Sequence, residues 1–460
     1  MIFKQFYLEC LSHASYVIGD DKTGRAVVVD PRRDVQEYVD FAMQHGLTIE
    51  LVLETHFHAD FLSGHLEMAK ATGAKIGYGS IAQPKFEARL FADGERYNLG
   101  DVTLEIRHTP GHTPESISVV VYEHANDEMP YGVLTGDTLF IGDVGRPDLL
   151  VSVGKTSNEL GHLLFASLRD KLLTLPDSTR VYPAHGAGSA CGKNLSTETM
   201  STIGEQRRTN YALQFTNIDH FIDVVTEGQP PAPGYFIYDA QLNSQERAVL
   251  DEHASPTRLS VDEVVNLSST GAVIIDTRDP QLFATGHIVG SINVGFAGRY
   301  AEYAGAVVTP HDDIVIVTEG GQELEAKVRL ARIGYDRVVG WCDVADLENS
   351  PQSVRQSSRL TAQDFVQRNE SVVGLQIVDV RNASEFGLGA VNGALNIPVV
   401  QLPNRLSELN PNLPTVVYCA GGYRSSIAAS LLKHSGFVDV SDVLGGFESI
   451  VQAGASLRSE

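Results

Sequence analysis

"LVLETHFHADFLSGH", residues 51–65, decides how the rest of the chain is read. An apolar run ends at Glu54-Thr55. Three ligand-type side chains then follow at alternate positions, His56, His58 and Asp60. Imidazole and carboxylate groups are the usual protein ligands for transition metals. The next position, where a further ligand could stand, is Phe61. Beyond it, "FLSGHLEMAKATG" predicts a helix, with Leu62, Leu66 and Ala69 on one face and Gly73 as its stop.

Three later stretches carry residues of the same kind. They are "RHTPGHTPES" with His108 and His112, "VLTGDTLFIGDVGRPDLL" with Asp137, and "VYPAHGAGSACGK" with His185. Each follows a predicted strand. "RAVVVDP", "IELVLE", "SISVVVY" and "YGVLTGD" read as strands, and "NELGHLLFASLRDKLLTLPDS" as an amphipathic helix. The alternation is that of a mixed α/β layer protein. Loops that follow parallel strands gather at one sheet edge, so these motifs are expected to surround one ion.

The chain of 460 residues has room for about three domains of roughly 150 residues. A formal charge of −23 argues against broad nucleic-acid binding, which needs a basic surface. No stretch has the ~20 apolar residues of a membrane span, and "MIFKQFYLECLSHASYVIGD" has no signal-peptide pattern. Cys10, Cys191, Cys342 and Cys419 are widely spaced, which fits a reducing cytoplasm.

A linker is expected at "EGQPPAPGYFIYD" (228–239). After it, Ser260 before Val261-Asp262-Glu263 signals a helix start. The remainder repeats itself: "VIIDTRDPQLFATGHIVGSINV" (273–294) matches "QIVDVRNASEFGLGAVNGALNIP" (376–398) at one constant offset. Asp276, Arg278 and Asn293 align with Asp379, Arg381 and Asn396. The period suits two tandem domains rather than a solenoid.

In the second copy, "PTVVYCAGGYRSSIAASLLKHSGF" reads as strand, loop and helix, with Cys419 at the strand end. Backbone N–H groups of Ala420, Gly421, Gly422 and Tyr423, the start of the helix at Ser425, and Arg424 as a cation are expected to stabilise a thiolate or persulfide. The first copy has "DIVIVTEGGQELEAKVRLARIGY", with Thr318 about where Cys419 stands and acidic residues in the loop. Without a thiol it cannot carry sulfur. Cys342 lies well past that loop.

The motifs of residues 1–215 resemble the metallo-β-lactamase fold, and "GHTPES" and "GDTLFIGDVGRPDL" resemble its persulfide dioxygenase branch, which is similar to glyoxalase II. The two repeats resemble rhodanese domains. The resemblance implies an αβ/βα sandwich over 1–245, an inactive rhodanese-like domain over 258–345 and a catalytic one over 358–460. It also implies one Fe(II) per chain, held by His56, His112 and Asp137. His58, Asp60, His185, Arg146 and Cys191 then orient ligands or contact substrate. Phe61 departs from the family's histidine, a position the single-iron branch does not use as a ligand.

The implied reaction is oxidation of a glutathione- or coenzyme A-type persulfide by O2 to sulfite and thiol. Sulfur transfer through Cys419 and Arg424 would link sulfite, persulfide and thiosulfate. A homo-oligomer is expected. Two other readings stay open: a zinc-dependent, glyoxalase II-like thioester hydrolase with an attached sulfurtransferase, and a sulfur-sensing scaffold.

Overall fold

A computed structural model describes residues 1–149, 154–229 and 232–458. Leu150 of the quoted Asp137 stretch, Pro230 and Pro231 of the expected linker, and the last two residues of the third domain lie outside them. The chain forms two compact units, residues 1–232 with 236–250, and residues 233–235 with 251–460.

The first unit is built on two six-stranded sheets among the described residues. One runs in chain order through Ile2–Leu8, His13–Asp20, Arg25–Val29, Thr48–Leu53, Lys75–Gly79 and Arg89–Phe91. The other contains Arg96–Asn98, Thr103–His108, Ile117–Tyr122, Gly132–Gly136, Arg180–Pro183 and Ser201–Thr202. Successive strand residues face opposite sides, and both sides are apolar here. Val27 and Val29 pack with Val119, Val121 and Leu134 between the sheets. Their neighbours Ala26 and Val28 pack outward with Tyr38, Ala42 and Met68, against helices Gln36–Gln44 and His65–Thr72. Val120 and Tyr122 face Leu164, Leu168 and Phe221 on the far side. The result is the expected helix–sheet–sheet–helix layering.

Two expectations change. The His112 loop joins Thr103–His108 to Ile117–Tyr122, and this pair is antiparallel. That motif is therefore a hairpin connection, whereas the His56 and Asp137 loops follow strands with a parallel neighbour. The linker also ends earlier than its composition indicates. Residues from Phe236 form the helix Phe236–Asn243, because Phe236 and Asn243 are buried in the fold. Signals at element ends hold, although the helix His65–Thr72 begins past Leu62. Gly73 closes His65–Thr72 in the left-handed region, and Ser260 with Glu263 forms a capping box.

The second unit holds two parallel sheets. The first is ordered Ile292–Asn293, Val273–Asp276, Ile314–Thr318, Val338–Asp343. The second is ordered Ser358–Leu360, Val440–Val443, Thr415–Tyr418, Gln376–Asp379, Leu395–Asn396. Asp276 lies opposite Val317 and Asp379 opposite Tyr418. Thr318 therefore occupies the position of Cys419. The aligned identities make one brace built twice. Arg278 and Arg381 grip Asp276 and Asp379, with Nη2···Oδ2 at 2.5 and 2.6 Å. Asn293 and Asn396 each donate to the carbonyls of that Asp and that Arg.

Candidate metal centre and sulfur-transfer loop

His56, His112 and Asp137 come from three separate loops, yet one ligand atom from each lies within 4.8 Å of the others, and all three residues are buried. Hydrogen bonds fix how each presents itself. Thr55 Oγ1 donates to Asp30 Oδ2 at 2.8 Å, which uses its only proton. The same oxygen lies 2.9 Å from His56 Nδ1, so it accepts from that nitrogen. His56 Nε2 is then left with a bare lone pair, and it is buried without a partner. His112 Nδ1 donates to the Arg146 carbonyl at 3.0 Å, which turns Nε2 toward Asp137, 3.5 Å from Oδ2. Asp137 Oδ2 is also buried without a partner.

Three acceptors thus converge with no donor among them. Such an arrangement is costly unless a cation sits between them. The donor set of two imidazoles and a carboxylate fits a divalent transition metal, and the bonded Nδ1 atoms fix the ring orientations that coordination needs.

Two glycines let the loops meet. A Cβ on Gly145, in the Gly-Arg-Pro-Asp segment, would lie 1.8 Å from the Asp137 carbonyl oxygen. One on Gly111 would lie 2.4 Å from Leu164 Cα, so the His112 loop rests directly on helix Ser157–Ala166.

The remaining sequence-selected residues surround this point. His185 lies between two carboxylates, with Nδ1 at 2.8 Å from Asp137 Oδ1 and Nε2 at 2.7 Å from Asp60 Oδ2. The second contact has ion-pair distance without hydrogen-bond alignment. Burial alone lowers the pKa of His185, but Asp137 and Asp60 outweigh it and raise the pKa well above the usual histidine value. His58 faces Asp30 and Glu54 at 3.1 and 3.7 Å. Burial, reinforced by the Asp30 charge, pushes Glu54 up to about 8.

Cys191 joins Asp60 and His185 in a second buried group, and burial, Asp60 and Asp137 push its thiol up. Arg146 is a brace: its guanidinium grips Asp148 at 2.6 and 2.8 Å and donates to the Ala190 carbonyl at 3.2 Å. His108 is held by the Phe91 carbonyl, at 3.0 Å from Nε2.

Phe61 is fully buried, its ring 4.1 Å from His13 and 4.4 Å from His58, centroid to centroid. Sequence reasoning missed His13, Asp30, Thr55 and Asn243. Asn243 Nδ2 donates to the carbonyls of His58 and Phe61 at 2.7 and 2.9 Å, and its Oδ1 accepts from Ser63 N at 2.9 Å. Asp30 holds a left-handed φ of 49°, an uncommon conformation for a residue with a side chain. Thr55 stood in plain view beside His56. Nothing in the spacing marked His13 or Asn243.

In the second unit, Cys419 is buried at the end of strand Thr415–Tyr418. Gly422, at φ 107°, donates its N–H to Cys419 Sγ at 3.1 Å. Ser425 Oγ lies 3.6 Å from the sulfur and donates to Asp442 Oδ2 at 3.2 Å, and Asp442 in turn pairs with Arg359. Gly446, where a Cβ would lie 2.2 Å from the Ala420 carbonyl oxygen, lets the next loop close over this one. Arg424 spends two hydrogen bonds on Glu385, at 2.6 and 2.8 Å. Tyr423 points away and donates to the Gly295 carbonyl at 2.7 Å. Burial pushes the Cys342 thiol of the other repeat up to about 12.

Comparison with known proteins gives two family matches. Residues 8–185 match the metallo-β-lactamase superfamily, and residues 260–348 and 361–453 match the rhodanese-like domain. A β-lactamase hydrolase-like protein of Agrobacterium fabrum is 28% identical over 260 residues, 50% of this chain and 56% of its own length. The chain thus spans little more than half of that relative. The mitochondrial persulfide dioxygenase of Bos taurus is 28% identical over 225 residues, covering 48% of this chain and 78% of its own. A solved structure titled as a metallo-β-lactamase from Staphylococcus aureus is 33% identical, with a TM-score of 0.67 over 74% of this chain and 98% of its own. Among the described residues no helix is long and apolar enough to cross a membrane.

Proposed function

Since this chain belongs to the metallo-β-lactamase superfamily and carries two rhodanese-like domains, we propose that it oxidises a low-molecular-weight persulfide with O2 at one Fe(II) and moves sulfane sulfur through Cys419. The overall oxidation, RSSH with O2 and H2O giving RSH, SO3²⁻ and two protons, balances without another reactant. The carrying observation is the set of convergent, donor-free ligand atoms on His56, His112 and Asp137. The similarity to a persulfide dioxygenase supports the substrate class. Iron supplies the redox chemistry that O2 requires and zinc lacks.

Two features of the chain support a single ion. A second ion of the family type needs His185 as a free base, and the Asp60 and Asp137 carboxylates on either side of that ring raise its pKa and so oppose that state. Phe61 brings no ligand atom. Thr55 and the Arg146 carbonyl keep both ligand imidazoles in the tautomer that presents Nε2. Cys419, with the Gly422 N–H on its sulfur, passes sulfur between persulfide, sulfite and thiosulfate. The wide spacing of the four cysteines in the sequence supports a reducing, cytoplasmic setting.

The test is the metal content of protein purified without oxygen, followed by oxygen uptake with glutathione persulfide and with coenzyme A persulfide. One iron per chain and uptake coupled to sulfite are expected. Two zinc ions with thioester hydrolysis and no uptake would replace this reading with the hydrolase. No turnover of any kind would leave the scaffold.

A further inference from the structure

Helix Tyr423–His434 carries the cysteine loop, and the repeat with Thr318 at the loop position holds it by four hydrogen bonds among the described residues. Tyr423 Oη donates to the Gly295 carbonyl at 2.7 Å, and Ser426 Oγ to Asn293 Oδ1 at 2.7 Å. Asn293 N donates to Ser430 Oγ at 2.9 Å, and His434 Nδ1 to the Gly290 carbonyl at 2.8 Å. Asn293, Ser426 and Ser430 are buried, so the two bonds of Asn293 are made away from water and fix the helix against the other repeat.

That repeat also places helix Tyr300–Val307 beside the loop. The ring of Tyr303 meets the ring of Tyr423 edge-on at 5.6 Å, one residue before Arg424. Tyr303 lies within electrostatic reach of both Arg424 and Cys419. It is only partly buried, and its hydroxyl has no hydrogen-bond partner among the described residues. Arg424 is the nearby cation for an anionic sulfur donor, but Glu385 already takes two of its N–H groups. An incoming sulfonate therefore meets a partly neutralised guanidinium and needs a further donor.

We infer that Tyr303, on the repeat with no cysteine in its loop, donates its hydroxyl to the sulfonate oxygens of a sulfur donor bound over Cys419, so that this repeat completes the sulfur-transfer site. The inference rests on the sulfur-transfer reading of Cys419. In the step concerned, the Cys419 thiolate attacks the outer sulfur of thiosulfate. A new S–S bond forms, the old one breaks, and its electron pair leaves with sulfite. Cys419 keeps a persulfide anion, and no outside oxidant or reductant enters. Tyr303 is a positioning residue that follows the oxygens of the leaving sulfite.

The test uses the full chain and two donors, thiosulfate and glutathione persulfide, with cyanide as acceptor. Tyr303→Phe keeps the ring and removes the hydroxyl. The expected result is a KM for thiosulfate raised about ten-fold, the usual loss for one hydrogen bond to a charged group. Turnover with glutathione persulfide, which has no sulfonate at the transferred sulfur, stays within about two-fold. An unchanged KM for thiosulfate would overturn the inference. So would an equal loss with both donors, which is the mark of a packing role. Wild-type protein that transfers sulfur from neither donor would overturn the sulfur-transfer reading itself, a distinguishable failure.

Discussion

Asn243 reaches across 182 residues of chain to hydrogen-bond the carbonyl of Phe61 at 2.9 Å, and the same side chain also holds His58 and Ser63. The turn that carries the ligands is thus fastened from the far end of its own unit. Asn243→Ala would leave two buried carbonyls and one buried N–H without this partner. A loss of roughly 2–4 kcal/mol in the stability of the first unit is expected. Denaturant unfolding of metal-free protein measures it, and a stability within 0.5 kcal/mol of wild type, roughly the scatter of a surface substitution, would show that the turn holds itself.

Thr55→Val keeps the shape and removes the oxygen that accepts from His56 Nδ1. The ring then loses the partner that sets its tautomer. Metal affinity should fall about 10- to 100-fold, the usual cost of losing such a supporting hydrogen bond. Competition with a chelator reads this directly. Asp137→Ala should go further and abolish both tight metal binding and oxygen uptake.

Phe61→His restores the family's ligand type at a site packed against His13 and His58. It leaves His185 between its two carboxylates. One metal per chain is still expected by elemental analysis. Two tightly bound zinc ions with thioester hydrolysis would instead make Phe61 the residue that sets the metal count.

Cys419→Ser should spare sulfite formation from persulfide and stop thiosulfate exchange, because no other cysteine stands at a loop of this kind. Loss of oxygen uptake in the same variant would argue against two separate sites.

Glu385→Gln removes the charge that Arg424 now neutralises. With its guanidinium less compensated, the loop should bind anionic donors better. The KM for thiosulfate is expected to fall several-fold, by about the worth of one partly buried charge interaction. Steady-state kinetics at two ionic strengths would check it, since the gain should shrink as salt rises.

The layered fold was legible because strands such as Arg25–Val29 are apolar on both faces and are followed by turn residues. The ligand loops were legible because histidines and aspartates at strand ends are conspicuous. The partners that orient those ligands were not. Thr55 and Asp30 act through hydrogen bonds that no periodicity encodes. Asn243 lies on a helix hidden behind a Pro- and Gly-rich stretch that reads as linker. The repeat identities were visible but spoke for the fold: the Asp–Arg–Asn brace is present with and without the thiol. That Arg424 is shared with Glu385 depended on folding within the second copy, and that Tyr423 faces the other copy depended on packing between repeats that neither copy shows alone.

The bonds from Asn293 to Ser426 and Ser430 also bear on how the chain can be divided. Duplication ordinarily leaves a redundant copy, free to decay or to be lost once the other does the work. Here the copy with no cysteine in its loop supplies hydrogen-bond partners to its sibling's helix. A cut between residues 345 and 358, where the sequence shows its seam, would strip the catalytic helix of these polar partners. The two copies therefore stand as a structural pair, and removing the first would take polar partners from the helix behind Cys419.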